Sequence, residues 1–518
     1  MSPLVATAAI LIAAIVVFIW NRLPPPIVAL GVTLALFFTG AVTFEQAIAG
    51  FGDPIVIYLA GLFVVSEALD ATGVTAWAGQ QLTRRVGEKR SSVLIALMLL
   101  SAGLTALISV NGAVAALVPV AVMLSARVRQ PPSQMLIPLA FAAHAGSMLT
   151  LLGTPINLIV SDLAVEAGAR PFGFFEFAII GAPLLIGVIL ITLLLGPKLL
   201  PHRTPPNAPR DLGAYAETLA HDHSLEAGET ALGYEGGATE IVIPPRSPFI
   251  GDEVHPGMRT ESGELIIAAV QRGGEQLDRA TLRAGDVVVL RGAWDALERK
   301  AAHAGVLPVD TPDLVRRQSV QLGPRSYAAV AVLAAMCVLL ALNVLPPAIV
   351  VLTAGALLVG CRVVSVRQAQ RSISLTTLLV VAGMVPLSTA IQTSGAADLV
   401  SAWLVATFGE RSPHLLLAVM VLIVFVLGQF LSNLATVLIV APVAVAVTEA
   451  AHLSPLPMMM GLTIAGAASF LTPVATPGNL MVQEPGAYRF GEYWKLGAVC
   501  MALYGVVAVG LVPLVWPF

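Results

Sequence analysis

The chain has 518 residues, of which 57% are hydrophobic and only 11% charged, with a mean hydropathy of +0.87. A soluble domain carries about 25% charged residues, so a single water-soluble domain is excluded. The net charge of −3 offers no basic surface for nucleic acid. The three cysteines (Cys337, Cys361, Cys500) lie too far apart for a thiol metal site and are too few for a disulfide scaffold.

The first apolar run begins almost at Met1 with no basic segment before it, which predicts a membrane span rather than a cleaved signal peptide. A hydrocarbon core takes roughly 20 residues per helix. Runs of that kind read as 4–20, 25–40, 54–70, a long segment 91–128, a broken segment 134–162 and 174–199. Residues 201–324 then hold 30 of the 59 charged side chains. That stretch opens on Pro201, Pro205, Pro206 and Pro209 and closes on Asp313, Arg316 and Arg317, and reads as a soluble insert. Apolar runs resume at 327–344, 346–360, 373–392, 413–449, 456–483 and 496–517.

The two apolar parts match at one spacing, 322 residues. Gln46-Ala47 pairs with Gln368-Ala369, Gly61 with Gly383, Gly73 with Gly395, Gly87-Glu88 with Gly409-Glu410, and Asn111 with Asn433. Thr150, Thr154, Pro155, Asn157 and Leu158 pair with Thr472, Thr476, Pro477, Asn479 and Leu480. Apolar helices resemble one another by chance, but Gly, Asn, Thr and Pro do not fall in register by chance. The chain therefore divides into a membrane repeat over 1–200, the insert over 201–324 and a second repeat over 325–518.

If 91–128 and 413–449 are hairpins that enter and leave on one side, each half crosses five times, and the second half is inverted. The expected fold is an all-α polytopic membrane protein of two inverted repeats, each of five transmembrane helices plus a re-entrant hairpin, with a small α+β insert. With the N-terminus outside, Arg22, Arg84, Arg85, Lys89, Arg90, Arg127, Arg129, Lys198 and Arg203 fall in the cytoplasm. So do Arg325, Arg362, Arg367, Arg371, Arg489 and Lys495, while Arg170 and Arg411 fall outside. Charge bias and repeat parity thus agree on termini outside and the insert in the cytoplasm, in a cell inner (plasma) membrane.

Inverted repeats with paired interrupted helices point to a secondary transporter, because irregular backbone at membrane depth must be buried or line a cavity. Each half has two interruptions. One is the hairpin tip, Ser109-Val110-Asn111-Gly112 and Ser432-Asn433-Leu434-Ala435-Thr436. The other is the break, Leu152-Gly153-Thr154-Pro155-Ile156-Asn157 and Val474-Ala475-Thr476-Pro477-Gly478-Asn479. Freed carbonyls with Asn and Thr oxygens can coordinate a small hard cation such as sodium, and helix N-termini and hydroxyls can face an anion. With no Lys or Arg in these stretches, a bound cation would neutralise the anion and couple the two.

The tips and breaks together resemble the divalent anion:sodium symporter family over both membrane halves. The resemblance implies sodium and substrate roles for Ser432 and Asn433, and for Asn111 with Ser109 beside it. It implies sodium near Asn111 and Gly153 and near Asn433 and Ala475, and substrate or ion contacts from Thr154, Pro155, Asn157, Thr476, Pro477 and Asn479. Thr436 closes the second tip. The family's tip carries Ser-Asn-Thr. Here the first tip reads Ser-Val-Asn-Gly and the second has Leu434 in place of Thr, which removes two hydroxyl donors and leans the substrate from dicarboxylate towards sulfate. Pro119 follows Asn111 by eight residues and Pro442 follows Asn433 by nine, so the first tip reads one residue shorter. The family also implies a homodimer.

Ionisable residues in spans are functional candidates. Glu67 and Asp70 lie near the end of the third span, where they can reach water, and Glu67 is a candidate coupling residue. His144, one turn before the first break, is either a proton carrier or a neutral histidine satisfied between helices. The segments 71–90 and 395–412 read as interfacial amphipathic helices, with Trp77, Leu82 and Val86 opposite Gln80, Arg84 and Arg85.

Inside the insert, 240–243, 265–270 and 287–290 read as strands and 293–302 as a helix. Leu-Arg-Ala-Gly-Asp-Val-Val-Val-Leu-Arg-Gly at 282–292 resembles the TrkA-C module of potassium-conductance regulators, which implies a small-molecule regulator or dimerisation. No nucleotide-binding Gly-x-Gly-x-x-Gly occurs there. A gated channel is disfavoured because no Thr-Val-Gly-Tyr-Gly filter exists, and an enzyme because no His-Glu-x-x-His or convergent acid–base set exists. The expectation is a sodium-coupled symporter of a small divalent anion, sulfate or a di- or tricarboxylate, with no cofactor. The alternative is a proton-coupled transporter or antiporter of the citrate or arsenite type.

Overall fold

A computed structural model describes all residues except 1, 21, 86, 88, 204–235, 274, 310–321, 343, 410–411 and 474–475. Pro205, Pro206, Pro209, Asp313, Arg316, Arg317, Val86, Glu88, Glu410, Arg411 and Ala475 therefore lie outside the described residues. The chain divides into two compact units. One comprises Met1–Glu67, Leu82–Ala208 and Ala331–Phe518, the other Ala68–Gln81 and Pro209–Val330.

Before the insert run α1 (Pro3–Trp20), α2 (Pro25–Phe38), α3 (Phe44–Ala49), α4 (Pro54–Ala71), α5 (Val74–Arg85), α6 (Arg90–Thr105), α7 (Val110–Arg127), α8 (Leu136–Gly146), α9 (Pro155–Glu166) and α10 (Ala178–Leu199). The insert contributes β1 (Gly236–Val242), β2 (Glu253–Val254), β3 (Leu265–Arg272), β4 (Glu275–Gln276), β5 (Ala280–Thr281), β6 (Val287–Ala293), α11 (Trp294–Ala301) and β7 (Leu307–Pro308). After it come α12 (Pro324–Ala341), α13 (Pro347–Gly360), α14 (Val366–Ser372), α15 (Leu375–Thr393), α16 (Ala396–Leu404), α17 (Pro413–Leu427), α18 (Asn433–Ala450), α19 (Pro455–Ala467), α20 (Pro477–Gln483), α21 (Tyr493–Val506) and α22 (Val512–Val515).

Among the described residues, six helices are long and apolar enough to cross a membrane, and the remaining apolar helices are shorter. Their flanks expose large apolar side chains such as Ile12, Phe38, Leu194, Val506 and Leu514, the surface expected of a protein solvated by lipid. The protein is thus an all-α multi-pass membrane protein with a soluble α+β insert.

Elements recur in the same order on both sides of the insert, down to their caps. Thr43 and Gln46 form a capping box on α3, and Ser365 and Gln368 form its counterpart on α14. The long segments 91–128 and 413–449 are the helix pairs α6–α7 and α17–α18, and the segments 134–162 and 456–483 are the interrupted pairs α8–α9 and α19–α20. The two halves are interleaved. A Cβ on Gly61 of α4 would lie 3.0 Å from Val351 of α13, and one on Gly383 of α15 would lie 2.9 Å from the Ala29 backbone of α2. Each repeat thus closes its helix contacts on the other, and Thr33 adds a hydrogen bond of 2.9 Å to the Gly383 carbonyl. Every residue of α8 and all of α19 from Pro457 to Ala467 are buried. A helix apolar all round belongs at the centre of its fold, so the breaks lie in the interior of this unit.

In the second unit, the insert forms a five-stranded antiparallel sheet of order β4-β3-β6-β1-β7 beside the small β2-β5 pair. Its core is Ile241, Ile243, Leu265, Ile267, Val288, Leu290, Trp294 and Leu297, drawn from alternate strand positions and one face of α11. The Leu-Arg-Ala-Gly-Asp stretch is the turn into β6. Gly285 takes φ +90° there, a conformation that glycine tolerates. Buried Asp286 accepts from the Arg283 amide at 2.8 Å and pairs with Arg272 through two bonds of 2.7 Å.

Candidate functional site: the two helix breaks

In the first repeat, residues 147–154 separate α8 from α9. Thr154 is extended (φ −151°, ψ 147°) and Pro155 restarts the helix, where a missing N–H costs little. Asn157, in the first turn of α9, is fully buried, and its Nδ2 donates to the carbonyls of Ser147 at 2.9 Å and Thr150 at 2.8 Å. The loop is therefore stitched to the helix that follows it. Gly153 permits this fold-back, since a Cβ there would lie 2.2 Å from the Ser147 carbonyl oxygen. The Thr150 hydroxyl donates to the Ala106 carbonyl at the end of α6, which ties the loop to the first hairpin.

The second break repeats the design. Thr476 is extended (φ −143°, ψ 148°), Pro477 restarts the helix, and Asn479 Nδ2 donates to Ser469 O at 2.7 Å and Thr472 O at 3.2 Å. Here the Ser469 hydroxyl donates to Asn433 Oδ1 on the second hairpin. Gln429 spans the same loop, accepting from the Leu471 amide at 3.3 Å and donating towards Ala468 O at 3.5 Å. Tyr493 of α21 donates to Asn479 O at 2.8 Å.

The carbonyls that sequence reading left free for a cation are therefore partly taken by the Asn amides. The hairpin tips also differ from the expected pairing. Four residues join α6 to α7 and five join α17 to α18, so the first tip is one residue shorter. Ser109 accepts from Gly112 N at 3.2 Å and Ser432 from Ala435 N at 3.3 Å, so the equivalent caps lie 323 residues apart. Asn433 is consequently the first residue of α18, while Asn111 is the second of α7. Their pairing at a spacing of 322 slips by one helical position.

Asn433 sits on its own repeat's break. Asn111, exposed on α7, faces the other one, its Oδ1 lying 3.8 Å from where a Cβ on Gly478 of α20 would be. Thr436 is buried and its hydroxyl donates back to Ser432 O at 3.1 Å. Thr154 and Pro155 are half-buried, Thr476 is buried, Pro477 is exposed, and Ala475 lies outside the described residues. Glu67 is half-buried on α4.

His144, in the last turn of α8, is buried, and its Nε2 lies 3.2 Å from Thr476 Oγ1 and 3.3 Å from Asn479 Oδ1. A first-repeat residue thus completes the second repeat's break. Phe470 closes this contact edge-on to the imidazole, with ring centroids 5.9 Å apart. Sequence reading named His144 but not its partners, and it missed Ser469, Gln429 and Tyr493. The Ser147/Ser469 pairing at the common spacing was the available signal for one of them. No group of His, Cys, Asp and Glu suited to a metal occurs among the described residues.

Residues 15–409 and 337–518 each match the citrate transporter family, CitMHS. The uncharacterized transporter YfbS of Escherichia coli (strain K12) is 27% identical over 608 aligned positions that span 99% of each chain. The probable sodium/sulfate cotransporter 3 of Chlamydomonas reinhardtii is 26% identical over 273 residues, 50% of this chain and 27% of that one. The crystal structure of the Alcanivorax borkumensis YdaH transporter shares the fold, with a TM-score of 0.52 at 15% identity over 97% of this chain and 99% of that one. These are transport proteins, and no enzyme stands among them. The chain is a multi-pass secondary transporter and belongs to the citrate transporter family.

Proposed function

We propose that the protein is a sodium-coupled symporter of a small divalent anion, sulfate or a di- or tricarboxylate, working by alternating access in a cell inner membrane. One observation carries this reading. Two helices, α8 buried throughout and α19 buried from Pro457 onward, are each followed by a polar loop, both loops are stitched by the equivalent Asn amide, and both are tied to a helix pair. Irregular backbone in a membrane interior is tolerated where it is buried or serves a site, and duplicated breaks are what alternating access about a central site requires. Oxygens of Gly153, Thr154 and Asn157 at the first break, and of Asn433, Thr476 and Asn479 at the second, which Asn111 also faces, are the hard groups from which a sodium site can draw. The anion is held by hydroxyl and amide donors and by the cation itself. The sulfate substrate is supported by the name of the Chlamydomonas relative and by the missing tip threonines, and a tricarboxylate by the family's description.

A proton-coupled or exchanging mechanism is the second reading, favoured by the imidazole of His144 inside the second break. The insert is a cytoplasmic TrkA-C-like regulatory module, and the carrier is a homodimer. The test is uptake of radiolabelled sulfate, succinate and citrate into proteoliposomes under a sodium or a proton gradient. Sodium-driven uptake of one of these anions, abolished in Asn433→Ala, is expected. Uptake that ignores sodium and follows the proton gradient refutes sodium coupling and leaves His144 and Glu67 as the groups to substitute.

A further inference from the structure

The duplicated breaks share the stitch from an Asn amide to two loop carbonyls and differ in what the Oδ1 of that Asn meets. In the second, Asn479 commits both hydrogens of Nδ2 to the carbonyls of Ser469 and Thr472, so its Oδ1 must face the other way and can only accept. What it faces is His144 Nε2, at 3.3 Å. A proton on that nitrogen is what satisfies the oxygen, while the Thr476 hydroxyl, which faces the same nitrogen, can donate or accept. Of the other polar oxygens of the second break, the Thr472 hydroxyl is buried without a hydrogen-bond partner among the described residues, whereas two others are satisfied from within the protein. Thr476 Oγ1 accepts from the Asn479 amide at 3.3 Å and faces the same imidazole, while Asn433 Oδ1 accepts from the Ser469 hydroxyl.

In the first break, Asn157 commits its Nδ2 in the same way, which again turns Oδ1 outward. There the oxygen is buried and has no hydrogen-bond partner among the described residues. Thr154 does not cap its helix as Thr476 does. For the Asn157 oxygen, the missing donor traces to one position. The counterpart of His144 at the common spacing is Gly466, and the space its side chain would enter is held by Val437 Cγ2 at 2.8 Å and Ile156 Cδ1 at 3.3 Å. A buried acceptor without a donor is unfavourable, and an oxygen in that state is what a hard cation seeks.

We propose that His144 takes the place of a coupling cation at the second break, so that the carrier holds a single cation, bound at the first break through Asn157 Oδ1. The inference rests on the cation-coupled reading and deepens it by fixing the stoichiometry and its structural cause. An imidazole N–H and a sodium ion cannot share the same oxygens, because both approach along the same lone pairs. His144 is a positioning residue: it holds Asn479 and Thr476 in the geometry that an ion would otherwise impose.

The test uses the full-length purified protein and radiolabelled sodium at constant ionic strength, in chloride and in sulfate buffers, with thermal stabilisation by sodium as the parallel readout. The wild type is expected to bind one sodium per chain. His144→Ala leaves Asn479 Oδ1 as exposed to an ion as Asn157 Oδ1 is. It is expected to bind two, doubling the dependence of stabilisation on the logarithm of sodium concentration. His144→Gln restores an N–H donor at that reach and returns the count to one, a rescue that a merely space-filling role would not produce.

Two sodium ions on the wild-type protein, or an unchanged count in His144→Ala, overturn the inference and leave sodium coupling intact. No sodium bound by the wild type overturns both the inference and the sodium-coupled reading beneath it. The wild-type count needs no variant, so the proposal stays falsifiable even where His144→Ala fails to fold.

Discussion

Gly153 and Gly103 are both glycines of the first repeat, and a methyl group has opposite consequences at the two. At Gly153 a Cβ would meet the Ser147 carbonyl oxygen at 2.2 Å, and the loop cannot give way while Asn157 holds that same carbonyl. Gly153→Ala is expected to lower stability by about 1–3 kcal/mol, the usual cost of overpacking a closed site. Gly103, inside α6, has open space around it. Gly103→Ala is expected to stabilise by about 0.5–1 kcal/mol, by removing backbone freedom from the unfolded chain and improving helix propensity. Thermal melts of the two variants in one detergent test the pair, and equal shifts would refute the tight-loop geometry. The break was legible because Thr154, Pro155 and Asn157 fall in register with Thr476, Pro477 and Asn479, although the counterpart of Gly153 is Ala475. Their contacts were not. The slip of Asn433 against Asn111 needs the length of a turn, and the meeting of His144 with Asn479 joins positions 335 residues apart, which no local pattern encodes.

Among the elements, the turn into β6 has the most definite electrostatic consequence. The bidentate bond from Arg272 holds the Asp286 carboxyl below the ordinary aspartate range, with the Arg283 amide assisting. A carboxylate whose folded pKa is depressed stabilises the fold fully above its unfolded pKa, about 4. It loses that contribution as pH falls through the depressed folded value. Arg272→Leu removes the depressing partner, so the insert is expected to open at a higher pH than in the wild type. Hydrogen exchange of residues 283–291, corrected for intrinsic rates and followed from about pH 6 to about pH 3, reads this directly. An unchanged acid midpoint would show that the pair contributes nothing. The strands on either side were legible because apolar and β-branched runs at 265–270 and 287–290 fall inside β3 and β6, and the run at 240–243 overlaps the end of β1. The two-residue strands β2, β4, β5 and β7 were not, since two residues carry no periodicity and their pairing is set by the sheet they join.

Across the whole molecule, the interleaving of the repeats makes an orientation prediction sharp. Gly61 packs on Val351 and Gly383 on Ala29, so α4 seats on the second repeat and α2 on α15 of that same repeat. Neither half completes these contacts alone, and the two must insert in a fixed mutual sense. If each half crosses the membrane five times, the second is inverted, and the basic residues gather on one side. Cys361, exposed just after α13 and beside Arg362, then lies on the cytoplasmic side, whereas Ser2 and Glu166, both exposed, lie outside. Cys361 is a built-in probe, because Cys500 is buried and Cys337 half-buried. A membrane-impermeant maleimide is expected to label the wild-type protein in inside-out vesicles and not in right-side-out ones. With Cys361 replaced by serine, Ser2→Cys and Glu166→Cys are expected to show the reverse pattern, and Ser262→Cys, exposed in the insert, the wild-type one. Labelling of Ser2→Cys and Ser262→Cys from the same side would require an even number of crossings between them. The segment α6–α7 would then have to make one net crossing instead of returning to its own side, and the second half would not be inverted relative to the first.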